Sequence, residues 1–119
     1  MKRVLVIEDN DINLYLMRTI LEKLGHHVIE AQDGINGVKL AKMERPDLIL
    51  MDIQLPGLDG YEATKKIRAM EETKDIPIIA ITSYAMVGDK EKILAAGCTA
   101  YLEKPIKPKF FIEELKKYI

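Results

Sequence analysis

The sequence predicts an α/β domain in which a parallel sheet lies between two layers of helices. Three observations carry this expectation. Five short apolar runs alternate strictly with five longer segments of helical spacing, the pattern of repeated strand–helix units. The first, third and fourth runs, residues 4–7, 48–51 and 78–81, are apolar without a break, as expected for strands covered on both faces. The chain of 119 residues has the length of one domain.

The elements follow in order. After the first strand, Asn10-Asp11 are plausible helix caps. The helix they open carries Met17, Leu21 and Leu24, with Leu16 and Ile20 beside them, and Gly25 stops it at the favoured C-terminal position. A second strand at 28–31 precedes a helix from Gly34 to Glu44, which ends before Arg45-Pro46. The third strand runs straight into Asp52, and a loop with Pro56 and Gly57 closes at Asp59-Gly60. In "GYEATKKIRAMEE" the residues Ala63, Ile67 and Met70 share one helix face. The fourth strand leads to the helix "VGDKEKILAAG", ended by Gly97. A fifth strand at 100–102 leads to "KPKFFIEELKKYI", which brings Phe111, Leu115 and Tyr118 together. Five such units in so short a chain suit the flavodoxin-like strand order 2-1-3-4-5 better than the six-strand dinucleotide-binding order. The expectation is a flavodoxin-like three-layer sandwich: one domain over residues 1–119, with no output domain.

Composition excludes several classes. Hydrophobic residues are 48% and charged residues 31%, a balance for a globular rather than a disordered chain. A net charge of -1, with no Lys/Arg block, gives no reason to expect nucleic acid as a partner. No apolar run approaches the roughly 18 residues of a membrane span. The N-terminal apolar stretch ends at Glu8-Asp9, too soon for an export signal, so a cytoplasmic location is expected. The single cysteine, Cys98, forms no internal disulfide and reads as a small, partly buried side chain in a reducing compartment.

In an open parallel sheet, ligands bind beyond the carboxyl ends of the strands, where strand order reverses. Glu8 and Asp9 follow the first strand, Asp52 the third, Thr82-Ser83 the fourth and Glu103-Lys104-Pro105 the fifth. The second strand gives Gln32 and Asp33, but at the outer edge. Each of these taken alone has a plain structural reading: an acidic pair suits a helix start, a Thr a turn, a Lys the surface. Together they form a set. Glu8, Asp9 and Asp52 would crowd one crevice and repel. A divalent cation resolves this, and oxygen ligands with no His or Cys nearby favour magnesium, manganese or calcium over zinc. With so few carboxylates, and phosphate chemistry at hand, magnesium fits best, with manganese as a substitute. Such a metal, with Lys104, would let Asp52 stay charged after a greasy run that otherwise penalises its charge.

A carboxylate can accept a phosphoryl group as a nucleophile, a reaction that needs positioning and charge neutralisation above all. Asp52 would attack. Asp9, Asp52 and a nearby backbone carbonyl would hold the cation, with Glu8 acting through water. Thr82 would donate a hydrogen bond to one phosphoryl oxygen and Lys104 would pair with another. The small Ser83 leaves room for the donor.

The stretches "VLVIEDNDINL", "PDLILMDIQLPGLDGYE", "IPIIAITSYAM" and "GCTAYLEKPI" together resemble a response-regulator receiver domain of two-component signalling, over essentially the whole chain. The resemblance implies that Asp52 is phosphorylated by a histidine kinase or a histidine phosphotransfer protein in a magnesium-dependent reaction. It implies that Gln54 lends its backbone carbonyl to the metal and that the Lys104-Pro105 peptide is cis. It also implies a switch: Thr82 moves toward the phosphoryl group, Tyr101 turns inward, and the face of the fourth helix, fifth strand and fifth helix changes shape for a downstream protein. Such a switch assists its own phosphorylation and dephosphorylation but has no conventional turnover. Gln54 and Tyr84 lie two residues past Asp52 and Thr82, where the family tunes water access, and a bulky Tyr84 implies slow autodephosphorylation. The pair Glu8-Asp9 replaces Asp-Asp and leaves the metal reading intact. His26-His27 fall in a loop before the second strand, far from Asp52, and carry no phosphohistidine role.

Within the family the chain looks most like stand-alone receivers of the cell-division type or receivers fused to hybrid histidine kinases. Its Met1 start and complete fifth helix favour the former; a receiver excised from a hybrid kinase is the alternative. Two rivals come from other classes. A flavin mononucleotide protein would want a Ser/Thr/Gly-rich phosphate loop, where this chain has "EDNDIN". A metal-dependent phosphatase with an Asp nucleophile would want a second acid two residues on, where this chain has Gln54.

Overall fold

Alternate residues of the central strands feed two separate cores. This is seen in a computed structural model that describes residues 1–83 and 87–119. The strands are β1 (Arg3–Ile7), β2 (His27–Ala31), β3 (Leu48–Asp52), β4 (Ile78–Thr82) and β5 (Ala100–Glu103). The helices are α1 (Asp11–Lys23), α2 (Gly34–Glu44), α3 (Gly60–Ala69), α4 (Val87–Ala96) and α5 (Pro108–Leu115). All pairings are parallel and the sheet order is β2-β1-β3-β4-β5, the flavodoxin-like order the sequence predicts. Val4, Val6, Leu48, Leu50, Ile79 and Ile81 pack against Leu14, Met17 and Leu21 of α1 and Phe111 and Leu115 of α5. Leu5, Ile7, Ile49, Met51, Ile78 and Ala80 pack on the other face, against Ala41 of α2, Ala63 and Ile67 of α3 and Ile93 of α4. With both faces covered, every residue of β3 and β4 is buried.

Local chemistry sets where the helices start. Asn10, Asp33 and Asp59 each accept a hydrogen bond from the backbone N–H three residues on, at 2.9, 2.8 and 2.9 Å, and so satisfy one of the free N–H groups of the first turn. α5 lacks a side-chain cap and begins instead with Pro108, which has no N–H to satisfy. Gly25, with φ 89°, turns the chain off α1, in a backbone region open to glycine.

Three sequence expectations are adjusted. Leu24 is the C-cap of α1 and 39% exposed; Leu14 takes the inward place. The third helix stops at Ala69, because Met70 adopts an extended backbone (ψ 133°), although its side chain still packs on the core. The fifth ends at Leu115, and Tyr118 reaches its core from a turn beyond the helix.

Candidate functional site

The parallel register brings the C-terminal ends of β1, β3 and β4 side by side. Asp52 is the last residue of β3 and only 1% exposed. Glu8 follows β1 directly and is fully buried, while Asp9 is exposed. Glu8, Asp9 and Asp52 each offer one carboxylate oxygen within 4.8 Å of the others. Lys104, just past β5, places Nζ 3.0 Å from Asp52 Oδ2 and 3.6 Å from Glu8 Oε1. The remaining oxygens take backbone donors: Asn10 N–H donates to Glu8 Oε2 (3.2 Å) and Gln54 N–H to Asp52 Oδ1 (3.0 Å).

Among the described residues, Glu8 Oε1 and Asp52 Oδ2 are buried and receive no hydrogen bond, and the ammonium of Lys104 meets both as an ion pair. Such oxygens are costly unless a charge compensates them. Burial first, and the adjacent Asp52 carboxylate second, push Glu8 up to about 8. The Asn10 N–H and Lys104 pull the other way. Two under-satisfied carboxylate oxygens beside the exposed Asp9 form an all-oxygen donor set. It suits a hard divalent cation, and the set has no soft ligand for zinc.

Thr82 ends β4 and is 1% exposed. Its hydroxyl oxygen accepts from Gln54 Nε2 at 3.2 Å, and its carbonyl accepts from Lys104 N–H at 2.8 Å. Ser83 is exposed and its N–H donates to Gln54 Oε1 at 3.4 Å. Tyr101 lies half-buried on β5 with Lys90 Nζ 5.4 Å from its ring centre. The Lys104-Pro105 peptide is cis. Tyr84 lies outside the described residues. His27 is the first residue of β2 and pairs with Arg3, so the two histidines sit at the end of the sheet away from Asp52. Cys98 is buried beside Thr64, and burial pushes its thiol up, as for an unreactive core cysteine.

The sequence gives Gln54 a carbonyl ligand role and a place where water access is tuned; it does not announce the contacts of its amide with Thr82 and Ser83. Position two past Asp52 was the available signal. The stacking of Lys90 on Tyr101 was also missed, and no spacing rule announces it.

The family model of the response regulator receiver domain matches residues 4–116. The chain belongs to this family. As a receiver domain it is a response regulator module of two-component signalling. It is 46% identical to the polar-differentiation response regulator DivK of Brucella anthropi over 118 residues, which cover 99% of this chain and 96% of that protein. Among solved structures it resembles the receiver domain of the sensor histidine kinase PA1611 from Pseudomonas aeruginosa, with a TM-score of 0.91, 43% identity and 98% and 96% of the two chains covered. That structure holds a magnesium ion coordinated in its active-site cleft. A chain in the co-crystal of the Saccharomyces cerevisiae histidine phosphotransfer protein Ypd1 with the receiver domain of Ssk1 matches with a TM-score of 0.92 and 32% identity, covering 98% of this chain and 88% of that one.

Proposed function

We propose that Asp52 is the phosphoacceptor of this receiver domain and takes its phosphoryl group from a phosphohistidine on a histidine kinase or a histidine phosphotransfer protein. The observation that carries the reading is a buried carboxylate held between an ammonium and two further carboxylates, all at strand ends. Asp9, Asp52 and the Gln54 carbonyl would hold a magnesium ion, or manganese in its stead, with Glu8 acting through water. Bound there, the metal neutralises phosphoryl oxygens.

The residues of the chain do the rest. One Asp52 oxygen attacks phosphorus as the P–N bond breaks, and the imidazole keeps the electron pair and takes up a proton. Lys104 already touches Asp52 and moves onto a phosphoryl oxygen. Thr82, on the neighbouring strand, donates its hydroxyl proton to another. Its shift lets Tyr101 turn inward, and the face of α4, β5 and α5 then changes for a downstream protein. A surface groove lined by Leu102, Lys107 and the half-exposed Phe110 borders that face. Phosphorylation biases this balance only by its differential stabilisation of the active arrangement.

The cycle is that of a switch that helps its own phosphorylation and dephosphorylation and has no conventional turnover. Residues 1–119 act as one receiver domain, in a cytoplasmic setting where phosphohistidine donors are made. Nucleic acid and membrane have no place in this reading; no described helix is long and apolar enough to cross a bilayer. The similarity to a sensor-kinase receiver favours one second setting, in which the same chemistry passes the phosphoryl group on to a phosphotransfer protein.

The test is intact mass after incubation with magnesium and acetyl phosphate, beside an Asp52→Asn control. The expected result is a metal-dependent phosphoryl adduct in the wild type alone. A folded wild type that gains no adduct from several donors sinks the phosphoacceptor reading.

A further inference from the structure

Gln54 joins the loop after Asp52 to the end of β4 through both halves of its side-chain amide. Ser83 N–H donates to Oε1 at 3.4 Å, and a backbone N–H accepts nothing, so this contact fixes which way the amide faces. Nε2 is then turned to Thr82 and donates to its Oγ1 at 3.2 Å. The backbone N–H of Gln54 meanwhile holds Asp52 Oδ1 at 3.0 Å. One residue therefore touches Asp52 and also both successive groups at the end of β4.

A phosphoryl group on Asp52 would be a pure acceptor. Such a group can accept from the Thr82 hydroxyl but offers nothing in place of the donor Nε2. As Thr82 moves toward it in the proposed switch, its Oγ1 leaves Nε2 and the amide must release it. The chain that has to move is short and otherwise anchored: Lys104 N–H holds the Thr82 carbonyl at 2.8 Å, and Ile53 N–H holds the Ile81 carbonyl at 3.0 Å. The Thr82 carbonyl and the Ser83 N–H share one peptide plane, so the backbone fixes where that N–H points, and the contact with Gln54 bears on where the Thr82 hydroxyl points.

We propose that the Gln54 side chain is a positioning residue that clasps Thr82 and Ser83 in the resting arrangement, so that loading of Asp52 must first open the clasp. The inference rests on Asp52 as phosphoacceptor. It assigns the amide a role separate from that of the Gln54 carbonyl, and it sets how readily the switch leaves its resting state.

Gln54→Met keeps the length and the backbone carbonyl but removes both amide contacts. Beryllofluoride, which attaches to carboxylates as an acceptor-only phosphoryl mimic, serves as the probe at saturating magnesium. Its affinity and the Thr82 and Ser83 amide resonances are read by NMR titration. The variant is expected to bind about three- to tenfold tighter than wild type, the release of roughly one net hydrogen bond, since the Ser83 contact is long at 3.4 Å. Its free-state Thr82 and Ser83 resonances should already lie toward their bound positions. The gain should shrink in a Thr82→Val background, since the clasp acts through that hydroxyl. Equal or weaker binding by Gln54→Met, or a gain undiminished beside Thr82→Val, overturns the clasp. Gln54→Ala repeats the test if the methionine variant fails to fold. Absence of binding by the wild type removes the phosphoacceptor reading and the clasp with it, whereas wild-type binding that Gln54 substitutions leave unchanged removes the clasp alone.

Discussion

Lys104 and Asp52 are paired at the floor of the crevice, Nζ to Oδ2 at 3.0 Å, with Glu8 Oε1 also within 3.6 Å of the same ammonium. One cation thus stands between two buried carboxyl groups and pairs most closely with Asp52. Lys104→Met should therefore lower the stability of the metal-free protein by about 1–3 kcal/mol, the cost of leaving a buried charge uncompensated. Magnesium should recover much of that loss and bind more tightly to the variant, because a competing positive charge is gone. Urea unfolding with and without magnesium measures both. An equal loss in the two conditions would show that lysine and metal do not share these oxygens.

The pH dependence has a definite sign. Glu8 is raised from 4.5 to about 8, by burial first and by Asp52 second. The folded metal-free protein therefore holds a proton that the unfolded chain releases. That contribution to stability is fully present below about 4.5 and is lost as pH rises through about 8. The thermal midpoint in EDTA should fall between pH 5 and roughly 8.5 because of this group. Glu8→Gln should flatten that part of the profile. A wild-type midpoint that stays level, or a Glu8→Gln profile as steep as wild type, contradicts the assignment.

Lys90 covers the ring of Tyr101 with Nζ 5.4 Å from its centre. A cation over a half-exposed ring is worth about 0.5–1 kcal/mol, and, if Tyr101 turns as in the proposed switch, that attraction favours the outward position. Lys90→Met should raise the inward population of Tyr101 in unphosphorylated protein by roughly two- to fivefold. A fluorotyrosine signal at position 101 reports it. Lys90→Arg keeps a stacked cation and should behave as wild type. If arginine shifted the signal as far as methionine does, the stacking account would be wrong.

The sequence was most legible where one rule governs one residue. Apolar runs place the strands, and the polar residues just past the runs place Glu8, Asp52, Thr82 and Lys104 around one crevice, as found. The strand ends were set one residue short at Asp52, Thr82 and Glu103 for the same reason. A polar side chain breaks the apolar pattern, but the backbone register continues through Asp52 opposite Ile81 and Thr82 opposite Glu103. The ends of α3 and α5 were overrun because Met70 and Tyr118 keep packing after the helix has stopped. The contacts of Gln54 with Thr82 and of Lys90 with Tyr101 cross between elements far apart in sequence. No local period encodes such pairs, so only the folded chain reveals them.

Gly60 opens α3 directly behind the end of β3, and its N–H donates to the Ile53 carbonyl at 3.1 Å. A Cβ at this position would stand 2.5 Å from the Asp52 carbonyl oxygen and 2.6 Å from Ile53 Cα. Both are backbone atoms of the segment that carries the Asp52 carboxylate, so relief requires that segment to move. Gly60→Ala should cost about 1–3 kcal/mol, as overpacking of a buried site does. Because the displaced atoms belong to Asp52 and Ile53, magnesium affinity and the rate of phosphorylation should fall together with stability. Gly88→Ala is the control. Among the described residues nothing lies within 4 Å of a Cβ there, and alanine in a helix should leave stability unchanged or improve it by up to about 1 kcal/mol. Denaturant unfolding and a magnesium titration on the two variants separate the possibilities. If Gly60→Ala lost stability yet bound magnesium as tightly as wild type, the strain would have been absorbed by α3, and the fit between that helix and β3 would not be what aims Asp52.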